Sequence, residues 1–130
     1  MNVVLDAWAI MAMLKAEPAA ARVRAVIDEH EPHACSINLG EAYYSLIRSH
    51  GHGIALDRVE KVRQLVKVHD PDWPVTRYAA EIKARGGLSY DDAFCVATAR
   101  SFKAPLYTGD PEIVALDGDD LEVVDLRSSS

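Results

Sequence analysis

The 130-residue chain contains only two cysteines, Cys35 and Cys95, and they are not arranged as a Cys-x-x-Cys pair. A disulfide framework or a thiolate metal site is therefore not expected, and both thiols should be buried as small apolar side chains. The first apolar stretch has no basic segment before it, is interrupted by Asp6 and ends at Lys15. Because this pattern differs from a signal peptide or a membrane span, we expect a cytoplasmic protein that does not contact membranes.

Basic residues are scarce at the C-terminal end. The net charge is -6, from 14 Lys and Arg against 20 Asp and Glu, and the whole excess falls in residues 105–130, where Arg127 is the only base. This balance argues against a simple basic phosphate-binding module. However, the stretch from Arg48 to Lys103 is mildly basic. Its bases Arg58, Lys61 and Arg63 either contact backbone phosphates or belong to a solvated helix face, so an RNA substrate is not excluded.

The chain has no internal repeat or low-complexity segment. Hydrophobic residues make up 49% of the chain and charged residues 26%, which is typical of a globular domain. We predict one domain over residues 1–127 and a frayed tail at Ser128–Ser130.

Short apolar runs alternate with longer amphipathic segments. The runs predict strands at Val3–Leu5, Ala34–Ile37, Leu106–Tyr107 and Leu121–Val124, with a weaker fifth at Val66–Val68. The segments predict helices at Ala7–Lys15, Ala19–His30, Asn38–Ser49, Leu56–Leu65, Thr76–Arg85 and Asp91–Phe102, with a loop at His50–His52. This alternation predicts an α/β fold: a central parallel sheet of four or five short strands, flanked by helices on both faces.

Four carboxylates occupy comparable places in this predicted fold. Asp6 follows the first strand, and Asp110 follows the strand that ends at Tyr107. Glu41 and Asp92 lie in the first turns of two predicted helices. Because the carboxyl ends of parallel strands share one edge of the sheet, we expect the four side chains to converge on one pocket.

Converging carboxylates repel one another, so such a cluster favours a bound divalent cation. Because the candidate ligands are all oxygens and the five histidines do not have zinc-site spacing, Mg²⁺ or Mn²⁺ fits best. Metal-assisted hydrolysis of a phosphodiester requires no protein nucleophile, and the chain has no obvious Ser-His or Cys-His pair.

Three of the acids also have a purely structural interpretation. Asn38 and Glu41 match a capping box, and Ser89 with Asp92 resembles one. Asp110 precedes Pro111 and is a suitable helix cap. Asp6 is harder to explain in this way, because a carboxylate beside a buried strand needs a partner.

Four segments resemble motifs of the PIN domains, and more narrowly of VapC-type toxins. They are Val3–Ala9 (VVLDAWA), Ser36–Glu41 (SINLGE), Leu88–Ala99 (LSYDDAFCVATA) and Tyr107–Asp110 (YTGD). They occur in the family's order and span nearly the whole chain. The resemblance implies a Mg²⁺- or Mn²⁺-dependent ribonuclease whose metal ligands and catalytic residues are Asp6, Glu41, Asp92 and Asp110. It also implies supporting roles for Thr108 and Asp91, a VapB-type antitoxin partner and a homodimer.

Two alternatives remain open at this point. A receiver-like signalling domain also has an acidic magnesium pocket, but it requires an acidic pair after the first strand, where this chain has only Asp6. A PIN-like domain that binds RNA without cleaving it is the other alternative.

Overall fold

The computed structural model describes residues 1–127, and the predicted tail at Ser128–Ser130 lies outside the described residues. Within that range, five parallel strands form one sheet. In chain order they are β1 (Asn2–Leu5), β2 (Glu31–Cys35), β3 (Lys67–His69), β4 (Leu106–Thr108) and β5 (Val123–Asp125). The predicted parallel α/β fold is confirmed.

Helices connect these strands. In chain order they are α1 (Ala7–Leu14), α2 (Ala20–Glu29), α3 (Ser36–His50), α4 (His52–Leu65), α5 (Trp73–Arg85), α6 (Tyr90–Phe102) and α7 (Pro111–Val114). None of these helices within residues 1–127 has both the length and the apolar composition that crossing a membrane requires.

The helices cover both faces of the sheet because side chains alternate along β1. Val3 and Leu5 belong to a core cluster with residues of α1, α2, α3 and α4. Val4 belongs to a second cluster with residues of α5, α6 and α7. All three side chains are fully buried, so β1 lies at the centre of the domain. Cys35 and Cys95 are buried as free thiols, as predicted.

The second strand ends earlier than predicted. The apolar run was expected to continue as strand to Ile37, but α3 begins at Ser36. Its N-cap residue is Cys35, whose side chain makes no capping hydrogen bond. Pro32, which resembled a break between elements, is the second residue of β2 and is in register with Val3. Because a hydrogen-bonding cap does not mark the start of α3, the sequence pattern placed the boundary too late.

Other boundaries differ for local reasons. The predicted loop at His50–His52 is wrong, because Gly51 alone separates α3 from α4, with a φ of +84° that favours glycine. Helix α5 begins before Thr76, because Asp72 caps it by accepting a hydrogen bond from the Val75 amide at 3.0 Å. Strand β5 starts later than predicted, since Leu121 forms an isolated bridge with Gly118.

The strand order in the sheet is β3-β2-β1-β4-β5. The chain therefore runs outward from β1 to β3 on one side and then returns to place β4 on the other side of β1. The carboxyl ends of β1 and β4 form a topological switch point, which is where open α/β sheets bind ligands. A receiver domain has the order 2-1-3-4-5, so the receiver-like alternative is wrong for this chain.

Candidate metal centre

Asp6 directly follows the carboxyl end of β1 and is the N-cap residue of α1. The residue is 2% exposed. Its Oδ1 accepts a hydrogen bond from the Ala9 amide at 2.9 Å, and its Oδ2 accepts one from the Thr108 hydroxyl at 2.5 Å. The carboxylate is thus held in a fixed orientation at the switch point.

Thr108 joins Asp6 to the acid that follows β4. The threonine is fully buried, and its Oγ1 accepts a hydrogen bond from the Asp110 amide at 3.0 Å. Asp110 in turn accepts a hydrogen bond through Oδ1 from the Glu112 amide at 2.9 Å, as a cap of α7. A continuous chain of hydrogen bonds therefore runs from Asp6 through Thr108 to Asp110.

Glu41 does not serve in a capping box. Because α3 begins at Ser36, Glu41 lies in its second turn, and Asn38 is inside the helix rather than at its N-cap. The buried Asn38 instead donates a hydrogen bond from Nδ2 to the backbone oxygen of Asp91 at 2.8 Å. This bond joins the first turn of α3 to the first turn of α6, which brings Glu41 close to the acids of α6.

Ser89 provides the predicted cap of α6. Its Oγ accepts a hydrogen bond from the Asp92 amide at 3.1 Å. The Asp92 carboxylate also forms a hydrogen bond with the Ser89 side chain, which lowers the pKa of that carboxylate against the larger effect of burial. Helix α6 leads directly into the start of β4, so it runs antiparallel to the strands. Its N-terminal turn, with Asp91 and Asp92, therefore lies at the carboxyl edge of the sheet.

Three carboxylates come within metal-binding range of one another. Asp92, Asp110 and Glu112 each offer an oxygen, and these oxygens all lie within 4.8 Å of one another. Asp6 and Glu41 adjoin this group, since the charges of Asp92 and Asp110 act on both. Glu112 was not singled out from the sequence, because an acid after Pro111 in a first helical turn also suits the helix dipole.

Three acids of the cluster, Asp6, Glu41 and Asp92, have raised pKa values. Burial raises the pKa of Asp6 to about 7, and repulsion from Asp92 and Asp110 adds to this effect. Burial, followed by repulsion from Asp91, Asp92 and Asp110, raises the pKa of Glu41 to about 7. Burial, followed by repulsion from Asp110, raises the pKa of Asp92 to about 6. Among the described residues, the charge of Arg127 acts on Asp110, but it does not prevent the upward shifts of these three pKa values.

The donor set fits a hard divalent cation. Oε1 of Glu41 is buried and has no hydrogen-bond partner among the described residues, so it is a polar atom that needs a ligand. The surrounding ligand atoms are carboxylate oxygens, which Mg²⁺ and Mn²⁺ prefer. Of the four predicted acids, the structure therefore brings Asp92 and Asp110 into one close group with Glu112, whereas Asp6 and Glu41 lie outside that group but near enough to be affected by its charges, as Glu41 is by Asp91.

The basic residues singled out on α4 are engaged in local interactions. Lys61 forms an ion pair with Asp57 at 3.2 Å, and Arg63 forms one with Glu60 at 2.8 Å. Arg58 donates a hydrogen bond to the backbone oxygen of Leu14 at 3.1 Å. These contacts favour the solvated helix face over a phosphate-binding patch.

Comparison with known proteins agrees with this geometry. Residues 3–119 match the family model of the PIN domain. The chain belongs to the PIN domain family. The matched span of this PIN domain contains all four of the acids predicted from the sequence, together with Thr108 and Glu112. A comparison with curated protein sequences finds no match.

Solved structures share the fold of this PIN domain. The DNA-bound VapBC from Salmonella typhimurium aligns with a TM-score of 0.78 and 20% identity, over 97% of this chain and 98% of that chain. VapC20 from Mycobacterium tuberculosis, described as a sarcin-ricin loop cleaving toxin, has a TM-score of 0.75 and 19% identity, over 92% and 98%. A toxin-antitoxin complex from Klebsiella pneumoniae has a TM-score of 0.74 and 14% identity, over 95% and 97%.

Gly109 is required by close packing beside the cluster. A Cβ atom at this position would lie 2.3 Å from an indole carbon of Trp8. We expect Gly109→Ala to lower the free energy of unfolding by about 1–3 kcal/mol, because the indole ring must shift within a packed core. Urea denaturation measures this change. Gly40→Ala is the matched control, since a Cβ at Gly40 meets no atom within 4 Å. An equal loss in both variants would contradict the packing argument.

Glu41 should destabilise the metal-free protein at high pH. Its pKa is about 7 when folded, against an ordinary 4.5, so the folded state binds more protons between these values. The folded state therefore has its full stability with respect to Glu41 below about pH 4.5, where the side chain is protonated. This stability is lost as the pH rises through 7 and Glu41 becomes charged. We expect Glu41→Gln to raise the stability in EDTA at pH 8 by on the order of 1 kcal/mol, or about 4 °C in Tm. The gain should shrink at pH 5.

Thermal melts in EDTA across this pH range check the prediction. Glu60→Gln is the control, because Glu60 is a half-exposed partner of Arg63 on α4. A Tm for Glu41→Gln that falls below the wild-type value at pH 8 would show that Glu41 stabilises the fold and does not merely repel its neighbours.

Proposed function

We propose that this PIN domain is a Mg²⁺- or Mn²⁺-dependent endoribonuclease and the toxin of a VapBC-type toxin-antitoxin pair. The observation that carries the proposal is the group of Asp92, Asp110 and Glu112, whose oxygens lie within 4.8 Å of one another, together with Asp6 and Glu41, on which the charges of Asp92 and Asp110 act. The domain that performs this reaction spans residues 1–127.

We assign roles to these side chains from their positions. Asp6, Glu41, Asp92 and Asp110 would hold the cation, and Glu112 adds an oxygen beside Asp92 and Asp110. Thr108 orients Asp6 and Asp110 through its two hydrogen bonds. When bound, the cation lowers the pKa of a coordinated water and neutralises charge on the phosphate oxygens.

The cysteines do not provide an alternative nucleophile. Burial raises the pKa of both the Cys35 and Cys95 thiols, which disfavours the reactive thiolate. Cys95 also donates a hydrogen bond from Sγ to the backbone oxygen of Asp92 at 3.0 Å. Its role is to support the first turn of α6, and hydrolysis by an activated water is the mechanism that remains.

The partners follow from the same proposal. The neighbour from Klebsiella pneumoniae is a toxin-antitoxin complex, and the one from Salmonella typhimurium is a VapBC bound to DNA. We infer a VapB-type antitoxin for this chain, a homodimeric toxin and a cytoplasmic location. Co-expression with a short reading frame next to this gene, followed by co-purification, tests the antitoxin.

Incubation of the purified protein with a broad RNA pool tests the activity. We expect cleavage with Mg²⁺ or Mn²⁺ and none in EDTA, with products that map to internal sites. A parallel gel-shift measurement separates binding from cleavage. RNA that binds but stays intact with both metals would favour the RNA-binding alternative, and intact DNA beside cleaved RNA would establish the substrate class.

A further inference from the structure

A cavity of about 290 Å³ opens beside Trp8, outside the acidic cluster. It lies between the turn that joins α1 to α2 and the residues that follow β5. Its lining includes Trp8, Pro18, Leu126 and the two arginines Arg22 and Arg127. The cavity therefore combines a flat aromatic ring, aliphatic walls and two guanidinium groups.

Three short connections attach this cavity to the catalytic edge. Trp8 follows Asp6 by two residues, and its indole ring packs directly on Gly109, between Thr108 and Asp110. On the opposite wall, the Leu126 amide donates a hydrogen bond to the Thr108 backbone oxygen at 2.8 Å. The Trp8 indole thus joins the lining of the cavity to Gly109, and Leu126 joins it to the strand that carries Thr108.

The arginines of the cavity are held in place by Asp125. Arg22 donates a hydrogen bond from Nη1 to the Asp125 backbone oxygen at 3.1 Å. Arg127 pairs with the Asp125 carboxylate at 2.9 Å. Because Asp125 offsets part of this positive charge and Glu17 also lines the cavity, the site is not a simple phosphate pocket. Flat rings and guanidinium planes are instead the groups on which unpaired bases stack.

We propose that this cavity is a nucleobase subsite, which binds one unpaired base of the RNA next to the scissile phosphate by stacking on Trp8. This inference rests on the proposed function. The cavity volume of about 290 Å³ lies just below the roughly 300–1,000 Å³ of pockets for drug-sized ligands, so the cavity fits a small ligand such as one base. Trp8 lines the cavity and packs on Gly109, the residue before Asp110, so the cavity adjoins the position at which the carboxylates would bind an RNA phosphate.

Fluorescence of Trp8 provides a direct test. The chain has two tryptophans, and Trp73 is an exposed residue of α5, on the other face of the sheet. A protein with Trp73→Phe therefore reports Trp8 alone, and Asp92→Asn in the same protein prevents cleavage during the titration. The probes are a labelled single-stranded RNA hexamer that contains a cleavage site and six versions of it, each with one abasic position.

We expect the intact hexamer to quench Trp8 emission saturably, and one abasic version to lose both the quenching and about 5- to 150-fold in affinity. Trp8→Phe should retain most of the affinity, measured by anisotropy of the label, because it keeps a stacking ring. Trp8→Leu should lose it, and Trp73→Leu is the matched control. Circular dichroism establishes that each variant is folded.

The outcomes separate the two proposals. RNA that binds with unchanged Trp8 emission, or an equal affinity for all six abasic versions, overturns the subsite and leaves the ribonuclease intact. A complete lack of RNA binding and of cleavage by the wild type overturns both. Normal RNA affinity of Trp8→Leu, combined with lost binding of a co-expressed antitoxin, assigns the cavity to a protein partner and overturns the nucleobase subsite.

Discussion

We expect the Asp92→Asn protein to lose RNA cleavage by more than about a hundredfold while it keeps its fold. We expect a loss of this size because substitution of a residue that only supports a metal ligand already lowers activity by about 10- to 100-fold. Asp92 is placed to contact the cation directly. Its fold should survive because the substitution keeps the hydrogen bond from the Asp92 backbone amide to Ser89, and an asparagine side chain can still form a hydrogen bond with the Ser89 hydroxyl.

Single-turnover cleavage of a labelled RNA, with Mg²⁺ at several concentrations, measures the loss. Asp57→Asn is the matched control, since Asp57 is an exposed carboxylate that pairs with Lys61 on α4. The melting temperature in EDTA should not fall, because the substitution removes a charge that repels Asp110. Cleavage within about threefold of wild type would exclude Asp92 as a metal ligand.

A helix-capping role and a place in or beside the acidic cluster are compatible at Asp6 and Asp110. Asp6 and Asp110 each use Oδ1 as a helix cap, and Asp6 uses Oδ2 for Thr108. The capping bonds fix the rotamer of each carboxylate, which a ligand of a rigid site also requires. At Asp110 the sequence presented capping as a competing explanation, whereas in the folded chain the capping bond fixes the carboxylate beside Asp92 and Glu112.

The acids that follow strands were the most predictable part of the site. Asp6 comes directly after a short apolar run and Asp110 comes three residues after one, and a parallel sheet brings the ends of such runs to one edge. The pattern of short apolar runs was sufficient to predict these two positions, because each run ends at its acid or at a short turn before it. The same logic predicted the N-terminal turn of α6, where Ser89 is a recognisable cap.

The start of α3 and the role of Glu112 were not predictable in the same way. Helix α3 begins after Cys35 without a side-chain cap, so its first turn has the same apolar pattern as the end of a strand. Glu112 joins Asp92 only through the tertiary packing of α7 against the sheet edge. The helix and strand propensities of individual residues do not predict such contacts, because the contacts depend on the relative positions of elements far apart in sequence.

We expect Thr108→Val to reduce cleavage by about 10- to 100-fold, although Thr108 is not placed to hold the cation itself. Valine has a similar size but lacks the hydroxyl that donates to Asp6 and accepts from the Asp110 amide. Its loss removes a hydrogen bond that lowers the pKa of Asp6, so that pKa should rise above its present value of about 7. The pH at which cleavage reaches half its maximum should therefore increase.

A pH profile of single-turnover cleavage separates this positioning role from a merely structural one. Thr108→Ser keeps the hydroxyl and should restore both the rate and the wild-type profile, even though it leaves a methyl-sized gap in a fully buried place. If Thr108→Ser were as impaired as Thr108→Val, packing of the methyl group would be what matters. An unshifted profile for Thr108→Val would mean that the hydroxyl does not control the protonation of Asp6.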